Sequence, residues 1–129
     1  MAFLGVDAVV VRVPSLDAGL AFYRDALGHA VIWRRPDAVG LRMGDGPTEL
    51  VLMTSIDPET DLLVKSVDDE VDRMAAAGGT VVVAPFDIEV GRAAVVRDPF
   101  GNLLTVVDLS RGHYVTADDG RVIGVRDPA

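Results

Sequence analysis

A unit of sequence recurs in this chain at a constant spacing of 51 positions. Val13, Leu16, Asp17, Leu20, Ala26, Gly28, Val31 and Ile32 are met by Val64, Val67, Asp68, Val71, Ala77, Gly79, Val82 and Val83. The coincidence spans a strand, the helix after it and the next strand, a length that chance rarely supplies. Two such units set side by side can build a groove that neither forms alone. With 129 residues the chain has room for one domain, 1–129, whose core buries roughly two-thirds of the unfolded surface. The expected layout is module one over 6–54, module two over 59–109 and a tail over 110–129.

The local patterns fill in each module. Val6 to Val13 is rich in β-branched residues and ends at Pro14, which predicts a strand. Ser15 is a helix N-cap, and Leu16, Leu20, Tyr23 and Leu27 recur at helical spacing until Gly28 stops the helix. Strands are expected at about His29 to Arg34, Val39 to Met43 and Thr48 to Met53, separated by Pro- and Gly-containing turns. The second copy begins near Asp61. Ser66 caps its helix, Val67, Val71 and Met74 form the buried stripe, and strands follow at about Thr80 to Ala84, Ala93 to Arg97 and Leu103 to Leu109. Asp98-Pro99-Phe100-Gly101-Asn102 makes the last turn. In the tail, Asp118-Asp119-Gly120 joins His113 to Thr116 and Arg121 to Val125 as a hairpin.

Composition excludes several functions. A net charge of −8 repels a phosphate backbone and leaves no basic stripe, so nucleic acid is not an expected partner. No apolar run is long enough to span a bilayer, so no membrane partner is expected either, and the first residues lack the pattern of a signal peptide. Without cysteine there is no thiolate nucleophile, disulfide or sulfur-ligated zinc, which fits the cytoplasm. Serine-nucleophile elbows, phosphate loops and dinucleotide fingerprints are also missing.

The string from Leu16 to Gly28, with Asp98-Pro99-Phe100-Gly101-Asn102-Leu103-Leu104, resembles the vicinal oxygen chelate superfamily, which holds glyoxalase I, extradiol dioxygenases and bleomycin-resistance proteins. The resemblance implies an α+β fold of two βαβββ modules, with a cupped mixed sheet, helices outside and a ligand inside. In metal-dependent members of that family the ion is held by side chains on the first and last strand of each module. Those positions fall on Ala8, Glu49, either Glu59 or Asp61, and Thr105. Alanine has no donor and threonine is a weak neutral one, so we expect no cofactor and no tightly held divalent ion. The resemblance also implies a homodimer.

The expected function is metal-free binding of a small molecule, with sequestration of a drug or metabolite as the implied role. Alternation places Arg12 on the strand face of Ala8 and Val10, and Glu49 with Val51 and Met53, away from the helix-packed Val9, Val11, Val13, Leu50 and Leu52. The expected ligand-binding residues are therefore Arg12, Trp33, Glu49, Met53, Phe100 and Thr105. Arg12 is suited to clamp an anion or to pair with Glu49, Glu59 or Asp61. Trp33 is either a stacking surface or core. Phe86 and Phe100 are expected in or beside loops, and His29 as a helix-end cap. The alternative is a lyase or isomerase in which Glu49, with Glu59 or Asp61, acts as acid and base or holds an atypical metal. No catalytic residue is assigned.

Overall fold

Each copy of the repeat folds as strand, helix and three strands. The computed structural model describes residues 1–128; Ala129, the last residue of the expected tail, lies outside them. The first copy runs β1 (Gly5–Arg12), α1 (Leu16–Leu20), β2 (Val31–Arg35), β3 (Ala38–Arg42) and β4 (Glu49–Met53). The second runs β5 (Glu59–Leu63), α2 (Val67–Ala76), β6 (Thr80–Ile88), β7 (Gly91–Arg97) and β8 (Leu103–Asp108). The hairpin β9 (His113–Thr116) and β10 (Val122–Arg126) forms a small sheet of its own.

The strands of the first copy lie in the order β2-β3-β4-β1, with β1 parallel to β4 and the other neighbours antiparallel. Those of the second lie in the order β6-β7-β8-β5, again with one parallel pair, β5 and β8. The fold is thus mixed α+β, as expected. Both parallel pairs join the first and last strand of a copy, because the intervening helix supplies the crossover that parallel strands need.

The chain divides into two compact units: Asp7–Glu59 with Tyr114–Gly124, and Thr60–His113 with Met1–Val6 and Val125 onward. In the first, one apolar cluster packs under the helix: Val13, Leu20, Val39, Leu41, Leu50 and Leu52, with Val11 and Tyr23 against it. In the second, Val64, Val67, Val71, Ala94, Val96 and Val106 do the same, with Met74 beside them. The side of each strand assigned to the helix by alternation is the side that packs there.

Two elements differ from expectation. The first helix is α-helical only through Leu20; Ala21–Ala26 widens into a π-helix. The wider turn rotates the last residues off the buried stripe, so Leu27, expected inside, is 54% exposed. Ser15 caps the start, its hydroxyl accepting from the Ala18 N–H at 3.1 Å, and Gly28 ends it at φ +85°. The strand expected to stop at Ala84 continues through Pro85 to Ile88, with Phe86 paired to Ala93, so Phe86 is a strand residue rather than a loop residue. Proline is tolerated there because the outer side of β6 is a sheet edge that needs no donor.

Candidate functional site

The helix-free face of the first copy carries the only tryptophan and a half-buried carboxylate. A one-residue irregularity in β2 brings them together: Val31 pairs with Leu41, yet Trp33 pairs with Gly40. In a regular ladder Trp33 would share the helix side with Val31. The extra residue turns it to the opposite side, where it joins Ala8, Val10, Ala38 and Val51. Gly40 makes room for it, since a Cβ at that position would run into the indole nitrogen and its neighbours. Trp33, 9% exposed, then donates its indole N–H to Glu49 Oε1 at 2.7 Å. The indole is therefore both core and a polar contact, and the half-buried Glu49 has the Trp33 N–H as its hydrogen-bond partner, with Arg42 opposite it in the ladder.

Glu49 has its pKa raised. Burial is the main cause, helped by the charge of Asp7; the Trp33 hydrogen bond and Arg42 across the ladder pull the other way. A carboxyl in an apolar bed whose pKa is raised suits hydrogen bonding to a ligand or the movement of a proton.

The expected open apolar face is covered. Tyr114 and Val122, from the C-terminal hairpin, pack on it. The Tyr114 ring lies 5.1 Å from that of Trp33, tilted by 53°, with the Arg35 guanidinium 5.9 Å from the Tyr114 centroid. Burial, above all, raises the Tyr114 pKa, and a hydrogen bond with Arg35 opposes it. Sequence reasoning missed Tyr114, Arg35 and Gly40. The one available signal was a tyrosine in a hairpin otherwise short of apolar mass.

The other expected site residues are placed as follows. Met53 packs at the margin of the Trp33 cluster. Arg12 pairs with Asp57 at 3.4 Å, both exposed. Phe100 is 86% exposed, at the tip of a turn that Asp98 holds by accepting from the Phe100 and Asn102 N–H groups, each at 2.9 Å, and from the Asn102 amide at 2.8 Å. That turn explains the Asp-Pro-Phe-Gly-Asn string structurally. Thr105 is half-buried and pairs with Asp61. His29 donates from Nδ1 to the Arg42 carbonyl at 3.0 Å, tying the approach to β2 onto β3.

The register decides between Glu59 and Asp61. Ala8 faces Glu49 across the first parallel pair, and Asp61 faces Thr105 across the second, so Asp61 is the counterpart of Ala8. Each pair keeps one carboxylate, set opposite an alanine in the first and a weakly donating threonine in the second. Among the described residues, no three His, Asp or Glu side chains gather closely enough to hold an ion. The donors thus do not fit the divalent ion of metal-dependent vicinal oxygen chelate proteins.

Residues 5–106 match the family model of the glyoxalase/bleomycin resistance protein/dioxygenase superfamily. No curated protein matches the chain. Among solved structures, a methylmalonyl-CoA epimerase from Mycobacterium tuberculosis superposes with a TM-score of 0.71 at 18% identity, covering 83% of this chain and 89% of that one. A superfamily member from Vibrio splendidus gives 0.56 at 17% identity, covering 78% and 95%. A Mn(II)-bound glyoxalase from Novosphingobium aromaticivorans gives 0.61 at 21% identity, covering 99% of this chain and 43% of that one. At these identities the likeness is one of fold. Among the described residues no helix is long and apolar enough to cross a membrane.

Proposed function

Because the chain belongs to the glyoxalase/bleomycin resistance protein/dioxygenase superfamily, we propose that it is a small-molecule-binding protein whose recognition centre is the Glu49–Trp33 pair on the helix-free face of the first copy. The observation that carries this reading is a carboxyl with a raised pKa, hydrogen-bonded to an indole in an otherwise apolar bed. Sparse polar groups in an apolar setting are the usual composition of a ligand site. Binding needs no metal, and the incomplete donor pairs favour that version. Sequestration of a drug or metabolite is the role it suits.

The test is a panel of small aromatic acids, amines and phenols, followed by the emission of Trp33. At least one compound should shift the emission, and Glu49→Gln should weaken that compound by about 1 to 3 kcal/mol, the size of a lost charge-assisted hydrogen bond. A panel without effect, or a bound compound indifferent to Glu49→Gln, overturns the reading.

The same substitution reports on the carboxyl itself. A folded-state pKa raised above the unfolded one means that the folded chain holds the proton more tightly, so the contribution of Glu49 to stability is fully present at low pH. It is lost as pH rises from the ordinary carboxylate range through the raised value. Glu49→Gln should flatten that part of the stability-pH curve and be neutral or mildly stabilising at pH 7, as followed by thermal melts. A wild-type curve already flat there removes the raised carboxyl.

An acid-base enzyme is the second reading, favoured by the same pKa shift, which moves a carboxyl toward the working range of a general acid or base. Exchange of solvent deuterium into a bound ligand separates it from simple binding.

A second copy of the chain is the proposed protein partner. The edge strand β6 exposes Val81, Val82, Val83 and Phe86, and Thr80 to Phe86 carries no charge in a chain of net charge −8. An uncharged apolar edge is stable in water only when covered, and two-fold pairing is the commonest cover. Light scattering should give twice 13.7 kDa at micromolar concentration. A monomer mass refutes the dimer.

A further inference from the structure

The C-terminal hairpin rests on the first copy through a backbone bridge, the Tyr114 and Val122 side chains and the Tyr114–Arg35 hydrogen bond. Among the described residues its backbone meets the main strands at the isolated bridge between Arg34 and Arg121, supported by the Arg34 N–H donating to the Gly120 carbonyl at 2.8 Å. Of its side chains, Tyr114 and Val122 reach the apolar cluster, while Val115, Ile123 and Val125 are exposed. A two-stranded hairpin is marginal in water by itself. Elements held by so few buried contacts open locally at a fraction of the global unfolding free energy.

What those contacts accomplish is chemically specific. They seat a para-alkyl phenol, the side chain of Tyr114, against the Trp33 ring, over an apolar floor of Ala8, Val10 and Val51, with the Arg35 guanidinium beside it. An aromatic face, a cation and an apolar floor are the elements by which a protein recognises a free phenol.

We propose that this seat is a binding site for small phenols, that Tyr114 is its tethered occupant, and that the hairpin is a strap a ligand displaces. The proposal rests on the binding function argued above and names its substrate class. A free phenol competes with Tyr114, whose effective concentration at the seat is set by the tether, so wild-type affinity is reduced and removal of the tyrosine ring restores it.

The experiment titrates 4-methylphenol into the full chain and follows Trp33 emission in three forms. Tyr114→Ala should bind at least about tenfold more tightly than wild type, because the tethered competitor is gone. Arg34→Cys/Arg121→Cys joins bridge partners, close enough for a disulfide, in a chain with no other cysteine. Oxidised, this form should not bind; reduced, it should bind as wild type does. Should Tyr114→Ala fail to fold, as its melting curve would show, the disulfide arm decides alone. Equal binding by the oxidised and reduced forms, or by wild type and a folded Tyr114→Ala, refutes the strap and leaves the binding reading standing. No binding by any form refutes the phenol site, and the panel with Glu49→Gln then judges binding independently.

Discussion

Replacing Asp108 with alanine is expected to lower stability by about 2 to 4 kcal/mol, from a lost helix cap and buried donors left without partners. Asp108, 3% exposed at the end of β8, accepts from the Val67 N–H that opens α2 at 2.8 Å and from the Arg92 N–H on β7 at 3.0 Å. It also accepts from the Ser110 N–H at 3.2 Å and from the Ser110 hydroxyl at 2.6 Å. One carboxylate therefore pins a helix start, a neighbouring strand and the turn that follows. Burial pushes its pKa up, but the Ser110 hydroxyl and the three N–H groups outweigh that and hold it below the usual carboxylate value. A depressed pKa contributes stability above the unfolded value, and that contribution is lost as pH falls through the folded one. Chemical denaturation at pH 7 should show the full gap between wild type and variant, and acidification should narrow it. Asp108→Asn should recover part of the loss, because its Oδ1 still accepts from Arg92 and Ser110 while its NH2 group faces the Val67 N–H that opens the helix. A variant within 0.5 kcal/mol of wild type, roughly the scatter of ordinary surface substitutions, would remove Asp108 as the fastening point.

Gly40→Ala should be comparably harmful for a different reason. The added methyl meets the Trp33 indole, and β3 lies between β2 and β4 with Ala38, Val39, Gly40 and Leu41 all buried, so the backbone has little room to shift. Overpacking of a core position costs about 1 to 3 kcal/mol, and loss of the Trp33–Glu49 hydrogen bond adds about 1. Trp33 emission should move to longer wavelength as the ring is pushed toward water. Alanine at position 33 carries no ring to collide with, so Gly40→Ala should cost much less in a Trp33→Ala background. A double-mutant cycle with no coupling would place the clash elsewhere.

These two residues mark where the sequence stopped being legible. The order of elements, the helix caps at Ser15 and Ser66, the stop at Gly28 and the helix-packed sides of the strands all follow from local chemistry and periodicity, which a linear reading can measure. The Asp98 to Asn102 turn was legible for the same reason. Long-range partners were not. The contact of Trp33 with Glu49 depends on one unpaired residue in β2 and on a glycine in the facing strand, and neither has meaning until the register is known. Asp108 is unremarkable in its own segment, because the helix it caps begins 41 residues earlier. Arg12, whose strand face suggested a ligand clamp, lies beside the exposed Asp57, a neighbour that no spacing in the sequence indicates. The π-helical stretch at Ala21–Ala26 left no mark in the apolar spacing, since Leu27 fits the α-helical stripe on paper and leaves it in three dimensions.

The exchange of terminal segments between the two compact units bears on how the chain is made. Residues Tyr114–Gly124 complete the unit that begins at Asp7, and Met1–Val6 belong with the unit that begins at Thr60. A ribosome emits the strands of the first repeat before those of the second, but the tyrosine and valine that cap their apolar side emerge only after the second repeat. Until then Ala8, Val10, Trp33 and Val51 have no cover from Tyr114 or Val122. Translation therefore cannot fold this duplicated chain one finished half at a time, although its repeat invites that route. The final closure waits for contacts distant in sequence, and the half-made product passes through an interval of exposed apolar surface in which chaperones and neighbouring nascent chains compete for it.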